Sequence, residues 1–183
     1  MKYLTISEVH NLLTEARKHS KRDWMMLLLA YRHGLRASEV VGIKGLKKEN
    51  FASGKLYVER LKHSETTLHP LFPSTQDILD ETEIAEYVDS LKNGDYLFID
   101  DDGSCLSRFQ FYRIMQKYCK RVGIHFSASH PHALKHSIAK QNIGKMGIEK
   151  MQKFLGHKNI NSTAQYIKCT DDEACAAMME SMR

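Results

Sequence analysis

This chain is a series of capped, helix-periodic segments interrupted once, near its middle, by a β-prone stretch, and that order constrains its fold most. Thr5 and Glu8 form a capping-box pattern in front of apolar residues at helical spacing, which predicts a helix to about residue 19. Asp23 can open a second, mostly buried helix that Gly34 ends. A short third helix is predicted over 38–43.

The β-prone stretch follows directly. Residues 55–61 and 66–71 contain β-prone side chains in an alternating pattern. Gly54 and the polar segment 63–65 mark turns. A small antiparallel sheet is therefore predicted in this part of the chain.

Helices resume in the second half of the chain. Ser74 or Thr75 can cap an acidic amphipathic helix that reaches about Lys92, and residues 100–103 form a turn. Pro is favoured in the first turn of a helix, so a helix is predicted over 131–146.

Ser107 can cap one further long helix, and shorter helices are predicted over 148–155, 161–167 and about 171–179. Together these patterns predict a mainly α fold with a small antiparallel β-sheet, the α+β class. The expected apolar face of the helix after Ser107 carries Phe109, Tyr112, Met115, Cys119 and Val122.

Charge is unevenly distributed along the 183 residues, a length that suits a single domain. Residues 1–70 carry a net charge of +6 and residues 105–168 carry +11 with one acidic residue, whereas residues 71–104 carry −9. Two basic blocks favour a positive face that binds a polyanion. Charge that segregates only for solubility is the alternative interpretation.

Export and membrane insertion leave no trace in the sequence. The longest apolar run, residues 24–31, is far shorter than a bilayer span, and the N-terminus has no signal-peptide pattern. The cysteines show no disulfide-dense or C-x-x-C spacing, which favours a reducing cytoplasm. They are Cys105, Cys119, Cys169 and Cys175.

Four separated segments carry the residues with the clearest chemistry. They are His33-Gly34-Leu35-Arg36-Ala37-Ser38-Glu39, the turn that contains Lys62, His130-Pro131-His132-Ala133-Leu134-Lys135-His136-Ser137, and Leu155-Gly156-His157 with Tyr166 nine residues after the histidine. In their order and spacing these segments resemble the catalytic domain of the tyrosine recombinases, the phage integrase family, and within it the short recombinases that invert fimbrial promoter switches. The resemblance covers about residues 4–168.

The resemblance implies a role for each position in the first two segments. Arg36 would clamp the scissile phosphate, and Glu39 would hold the local turn. Lys62, on a β-hairpin loop, would be the general acid that protonates the leaving 5′-oxygen.

The last two segments would complete the site. His132 and Lys135 would lie on one helix face against the same phosphate. His157 would contact a non-bridging oxygen, and Tyr166 would attack phosphorus to give a 3′-phosphotyrosyl intermediate. The resemblance therefore implies a site-specific DNA recombinase that integrates, excises or inverts DNA.

Physical chemistry supports the same residue types. Phosphodiester exchange builds negative charge on oxygen, so preorganised cationic donors are the main catalytic need. A tyrosine nucleophile conserves the bond energy as a phosphoester, so rejoining needs no ATP, metal or other cofactor.

Position 135 departs from the family pattern, because Lys135 stands where the family has a second arginine. Lysine keeps the charge but loses the bidentate fork of a guanidinium. An alternative function therefore stays open: a DNA-binding relative with weak or no cleavage.

The histidines of the third segment also permit a zinc site. His132 and His136 are four residues apart, with His130 just before them. A zincin would place Glu after the first histidine, whereas this chain has Ala133, and Glu149 is the only acidic residue in 105–168. No metal ligand is therefore assigned.

The domain and partner expectations follow from the resemblance. Residues 1–183 are expected to form one catalytic domain, with a core over about 4–168, a C-terminal tail helix over 169–183 and no N-terminal core-binding domain. A minimal recombinase and a fragment of a longer one both fit this expectation. The expected partner is double-stranded DNA, with a monomer in solution and a tetramer on DNA. The target site and the choice between integration, excision and inversion cannot be read from the sequence.

Overall fold

The computed structural model describes residues 2–61, 64–167, 175, 178–180 and 182. As predicted, these residues form a mainly helical fold with one small antiparallel sheet. The helices are α1 (Ile6–His19), α2 (Lys21–Arg32), α3 (Ala37–Val40), α4 (Thr82–Asp89), α5 (Arg108–Arg121), α6 (Pro131–Met146), α7 (Ile148–Leu155) and α8 (Asn161–Ala164), and the strands are β1 (Phe51–Ala52), β2 (Lys55–Val58) and β3 (Thr67–Pro70).

Polar side chains set the starts of the first two helices. The capping box of α1 is confirmed, since Thr5 Oγ1 accepts the Glu8 N–H and Glu8 Oε2 accepts the Thr5 N–H. Helix α2 begins at Lys21, earlier than predicted, because Ser20 Oγ accepts the Asp23 N–H and so caps the helix. Residues 24–31 of α2 are all buried.

The sheet has the order β1-β2-β3, and both pairings are antiparallel. Leu56 and Val58 of β2 face the core, whereas Tyr57 and, on β3, Leu68 are exposed. The strands are shorter than the predicted segments, but their alternation follows the sequence.

The predicted acidic helix from Ser74 or Thr75 to Lys92 is wrong in extent. Only α4 is α-helical there, and residues 77–79 form a short 3₁₀ helix instead. Asp80 and Glu81 explain the delay, because Asp80 Oδ1 accepts the Ser74 N–H and buried Glu81 accepts the Phe72 N–H through Oε2. Both carboxylates thus satisfy backbone donors outside a helix.

The apolar face predicted for α5 is also partly wrong. Phe109 is 68% exposed and Tyr112 is 39% exposed. The capping box that Ser107 forms with Gln110 sets the first turn as predicted, but the buried face is rotated from the predicted one. It consists of Phe111, Met115, Tyr118 and Cys119.

Helix α6 lies at the centre of the fold and packs against α1, α2, α5 and α7. Pro131 is its first residue, as predicted, and His130 Nδ1 accepts the Ala133 N–H at its start. On one side of α6, Ser137 Oγ accepts the Leu4 N–H, and this bond attaches the N-terminal segment to the helix. Helix α6 therefore carries its polar side chains on a rigid element.

Helices α7 and α8 follow after short turns. The segment predicted as helical over 161–167 forms α8 only to Ala164 and then a turn. The predicted tail helix over about 171–179 falls mostly outside the described residues, although Met178 and Met179 are described and exposed. Within the described residues, no helix combines the length and apolar composition needed to cross a bilayer.

Candidate active site

A cleft of about 490 Å³ lies between the start of α3, the end of the β2–β3 connection, α6 and the segment from α7 to Tyr166. Among the described residues that line it there is no acidic side chain. It brings together five of the six predicted site residues; the sixth, Lys62, lies outside the described residues. The lining residues are Arg36, Ser64, His132, Lys135, His157, Lys158, Asn159, Ser162, Gln165 and Tyr166.

Arg36 enters the cleft from the residue that precedes α3. Its Nη1 donates to Glu39 Oε1 at 2.8 Å and to the Leu61 carbonyl at 3.2 Å. Its Nη2 donates to Ser64 Oγ at 3.2 Å, and its backbone N–H donates to Glu39 Oε2 at 2.8 Å. The guanidinium is thus fixed by several bonds while the side chain stays 19% exposed.

Glu39 organises this side of the cleft from a fully buried position. Its Oε1 accepts the Leu61 N–H, and its Oε2 accepts from Arg60 Nη1 at 3.2 Å. Burial alone raises the pKa of Glu39, but the charge of Arg60 and the bond from the Arg36 N–H outweigh it, so the pKa is lowered overall. Glu39 therefore remains a carboxylate that holds Arg36.

Arg60 joins elements that are distant in sequence. Its guanidinium donates to the carbonyls of His33 at 2.9 Å, Gly34 at 3.0 Å and Phe154 at 3.3 Å. Its Nε donates to Thr67 Oγ1 at 2.9 Å. One buried side chain thus ties α2, the sheet and α7 together behind the cleft.

Lys135 is buried, with 1% of its surface exposed, and its Nζ donates to the Gly34 carbonyl at 2.7 Å. Burial, and then the charge of Arg60, hold the pKa of Lys135 well below its usual range. Gly34 itself has φ +57°, and a Cβ there would lie 2.6 Å from Leu155 Cδ2. A larger residue at position 34, whose carbonyl binds Lys135, would therefore strain the backbone and displace the Leu155 side chain.

His157 reaches the cleft from the turn after α7. Gly156 ends the helix with φ +68°, and a Cβ there would lie 2.4 Å from the Glu65 carbonyl oxygen. His157 Nδ1 lies 2.9 Å from Thr163 Oγ1, which orients the ring. Burial, and then the charges of Lys135 and Arg36, lower the pKa of His157 to about 4.

Tyr166 closes the cleft from the turn after α8. Its side chain is 2% exposed, and its hydroxyl lies 2.8 Å from His136 Nδ1. Lys140 Nζ donates to the Tyr166 carbonyl at 3.2 Å. Burial raises the pKa of Tyr166 to about 12, although the charge of Arg36 opposes the shift.

His132 lies on the exposed side of α6, one turn before His136. The two rings meet edge to face, with their centroids 4.2 Å apart. His132 and Lys135 both line the cleft, as their three-residue spacing predicted. Within the described residues, no group of three or more His, Cys, Asp or Glu could hold a metal ion.

The sequence reasoning missed two residues of this site, Arg60 and His136. A signal for Arg60 existed, because it continues the buried alternation of Leu56 and Val58 by two residues. His136 was considered only as a metal ligand, and nothing in the sequence pairs it with Tyr166.

Comparison with known proteins gives the family. Residues 2–173 match the phage integrase family. The type 1 fimbriae regulatory protein FimB of Escherichia coli (strain K12) is 32% identical over 168 residues, which cover 90% of this chain and 82% of that protein. The tyrosine recombinase XerA of Pyrococcus horikoshii is 32% identical over 174 residues, which cover 92% of this chain and 57% of that protein.

Solved structures share the fold. A crystal structure of XerA recombinase superposes with a TM-score of 0.71 at 18% identity, over 100% of this chain and 66% of that one. The XerH recombinase bound to its difH substrate before cleavage gives a TM-score of 0.70 at 18% identity, over 97% of this chain and 54% of that one. The expected fold is confirmed, and on its sequence the chain belongs to the phage integrase family, the tyrosine recombinases.

Proposed function

We propose that this site-specific DNA recombinase cuts and rejoins DNA strands through a 3′-phosphotyrosyl intermediate on Tyr166. The observation that carries the proposal is the composition of one cleft. Tyr166 shares that cleft with Arg36, Lys135 and two histidines, and no acidic side chain is among the described residues that line it. Such a site favours a phosphodiester anion next to a phenol.

Arg36 is the proposed primary phosphate ligand. Glu39 fixes its orientation, and the planar guanidinium is suited to bind two phosphate oxygens. Lys135 and His157 are the proposed further contacts to non-bridging oxygens, and His132 lies at the mouth of the same cleft. The donors would be in place before charge develops, which is how preorganisation lowers a barrier.

The reaction balances without an external energy source. The Tyr166 phenolic oxygen forms a bond to phosphorus while the bond from phosphorus to the 5′-oxygen breaks. The phosphotyrosyl ester keeps the energy needed for rejoining, so the 5′-hydroxyl of a partner strand can reverse the step.

Lys62 is the proposed acid that protonates the leaving 5′-oxygen. Its described neighbours support this role, because the Leu61 carbonyl and Ser64 Oγ both accept bonds from Arg36. The chain on each side of Lys62 is thus attached to the phosphate ligand. A lysine among other cations loses its proton more readily than an isolated one.

Double-stranded DNA is the proposed substrate, which two net-positive blocks of the chain support. XerH was solved on its DNA substrate, and a lambda integrase dimer on a core site. We also propose that residues 4–168 form the catalytic core and residues 169–183 a C-terminal tail. The protein is proposed to be a monomer in solution and a tetramer on DNA, to act in the cytoplasm, and to be prokaryotic or phage-encoded.

The test is formation of a covalent protein–DNA adduct. Duplex fragments that tile the DNA flanking the gene are mixed with the protein, denatured in SDS and examined for slow-migrating complexes. We expect an adduct with fragments that contain the target site, and none with Tyr166→Phe, which lacks only the phenolic oxygen. Binding by Tyr166→Phe in a gel-shift assay is expected to be near that of the parent. An adduct that persists in this variant would assign the nucleophile elsewhere.

A further inference from the structure

The phenolic oxygen of Tyr166 contacts a histidine of α6. His136 Nδ1 lies 2.8 Å from it, within hydrogen-bond distance. His136 comes from α6, whereas Tyr166 follows α8, so the fold itself brings the two together. Lys140, one turn after His136 on α6, donates to the Tyr166 carbonyl and fixes the same segment.

The phenol needs a proton acceptor to become a nucleophile. Because burial raises the pKa of Tyr166 to about 12, the hydroxyl keeps its proton at neutral pH. Bulk water has little access to a side chain that is 2% exposed. A protein group that already touches the phenolic oxygen can take this proton directly.

His136 is uncharged at neutral pH and can accept a proton in one of its two tautomers. Burial, and then the charges of His132 and His130, lower the pKa of His136 to about 4, so the imidazole is neutral at pH 7. A neutral imidazole with its proton on Nε2 offers the Nδ1 lone pair to the phenol. A phosphodiester anion that enters the cleft favours the imidazolium and so raises the pKa of His136 when the reaction begins.

The two histidines that line the cleft, His132 and His157, have further contacts of their own. His157 Nδ1 is directed to Thr163 Oγ1 at 2.9 Å. His132 lies edge-on to the His136 ring, on the exposed side of the helix. His136 Nδ1 lies within hydrogen-bond distance of the phenolic oxygen.

We propose that His136 is a catalytic residue that accepts the phenolic proton of Tyr166 as the phenolic oxygen attacks phosphorus. This inference rests on the proposed role of Tyr166 as nucleophile. The oxygen–phosphorus bond forms, the bond to the 5′-oxygen breaks, the phenolic proton moves to His136 Nδ1, and the 5′-oxygen takes a proton from the acid assigned to Lys62. In the rejoining step the imidazolium returns its proton to Tyr166.

The first test uses two substitutions of His136 that separate proton transfer from positioning. In His136→Asn the amide oxygen can still accept a hydrogen bond near the Nδ1 position, but it cannot take a proton; His136→Ala removes both properties. The substrate is a nicked suicide duplex that carries the site mapped from the covalent adducts of the parent. The matched control is His10→Asn, which makes the same change at an exposed position of α1.

We expect both His136 variants to slow single-turnover cleavage by about 10²-fold or more, because general-base catalysis contributes on that scale. DNA affinity is expected to stay within about twofold, and the His10 variant to cleave at the parent's rate. Cleavage by His136→Asn at the parent's rate would show that the histidine only positions the phenol, and would overturn the proposal.

A second substrate identifies the step that is affected. Replacing the bridging 5′-oxygen by sulfur creates a leaving group that departs without an acid, since a thiol has a pKa of about 8.5. We expect this substrate to restore cleavage by Lys62→Ala but not by the His136 variants, and added imidazole to restore part of the rate of His136→Ala. Restoration of the His136 variants by sulfur would overturn the proposal. If Tyr166→Phe forms an adduct, the proposed nucleophile fails instead.

Discussion

Two basic residues line the cleft, and the protein holds them in different ways. Arg36 is bound by the buried carboxylate of Glu39 and two partners of the hairpin connection, and it stays partly exposed. Lys135 is almost fully buried, and its ammonium is directed at the Gly34 carbonyl. A carboxylate preserves the charge of its partner, whereas burial against a carbonyl disfavours charge. Arg36 is therefore held as a cation by its partners, whereas Lys135 is held in place at a position where its charged form is disfavoured.

The largest expected effect comes from removing Arg60, the buried residue that bonds Glu39 and so supports Arg36. Arg60→Ala leaves the Glu39 carboxylate and the His33 and Phe154 carbonyls without their buried donor. We expect the free energy of unfolding to fall by about 3–5 kcal/mol, the usual cost of breaking a buried ion pair. Urea unfolding followed by circular dichroism measures it.

The control for Arg60→Ala is Arg108→Ala, which removes an exposed arginine at the start of α5. We expect that variant to change stability by less than about 0.5 kcal/mol. Equal losses of unfolding free energy in the two variants would show that the hydrogen bonds of Arg60 do not stabilise the part of the fold that holds Arg36.

The next largest effect is expected from substitutions of Lys135. Lys135→Ala removes one donor from the cleft, and loss of one preorganised donor costs about 10²–10³ in rate. Lys135→Arg adds a fork that can bond the Gly34 carbonyl and a phosphate together, so we expect single-turnover cleavage to rise about tenfold with little change in DNA affinity. Single-turnover cleavage of a suicide duplex measures both.

A Lys135→Arg variant no faster than the parent would mean that the cleft is adapted to lysine. The difference between the two cations would then be structural without a catalytic consequence. A Lys135→Arg variant that cleaves faster than the parent would show that lysine at this position lowers the cleavage rate relative to the arginine of the family pattern.

The effect that is smallest near neutral pH concerns His69, a buried histidine behind the cleft. His69 stacks on Phe154 and its Nδ1 lies 3.1 Å from His33 Nδ1. Burial, and then the charges of His33 and Arg60, lower the pKa of His69 to about 3. The unfolded chain, with an ordinary histidine pKa of about 6.5, binds a proton first as the pH falls.

Stability is therefore expected to be independent of His69 above pH 6.5 and to decrease between pH 6.5 and about 3. Protonation at His69 lowers the free energy of unfolding by up to about 1.4 kcal/mol per pH unit in this range. His69→Gln is expected to flatten the fall in unfolding free energy between pH 6 and 4.5, measured by urea titrations, whereas His10→Gln leaves the slope unchanged. A steeper slope in His69→Gln would reverse the assigned sign.

Local signals were enough to predict most of the fold. Capping boxes at Thr5 and Ser107 and the proline at 131 act within one helical turn, so the sequence contains their whole cause. The acidic helix was mispredicted because Glu81 is buried against the Phe72 N–H, a tertiary partner. The face of α5 was mispredicted because two aromatic residues, Phe109 and Tyr112, fitted a helical period without being buried.

The candidate site was likewise predicted only in part from the sequence. Arg36, His132, Lys135, His157 and Tyr166 were found through their motifs, and the structure brings them to one cleft. The bond from Lys135 to Gly34 and the contact of His136 with Tyr166 join positions 101 and 30 residues apart. Such pairings depend on how helices pack, which periodicity within a helix does not encode.

The central claim, that Tyr166 is the residue joined to DNA, has one direct measurement. The adduct formed on a suicide duplex is digested with nuclease and trypsin, and the nucleotide-bearing peptide is sequenced by tandem mass spectrometry. Residues 159–168 form a tryptic peptide with one tyrosine, Tyr166, besides Ser162 and Thr163. We expect a nucleotide linked through its 3′-phosphate to the Tyr166 phenol, with a free 5′-hydroxyl on the released strand. A nucleotide on another residue, or a 5′-phosphate linkage, would contradict it.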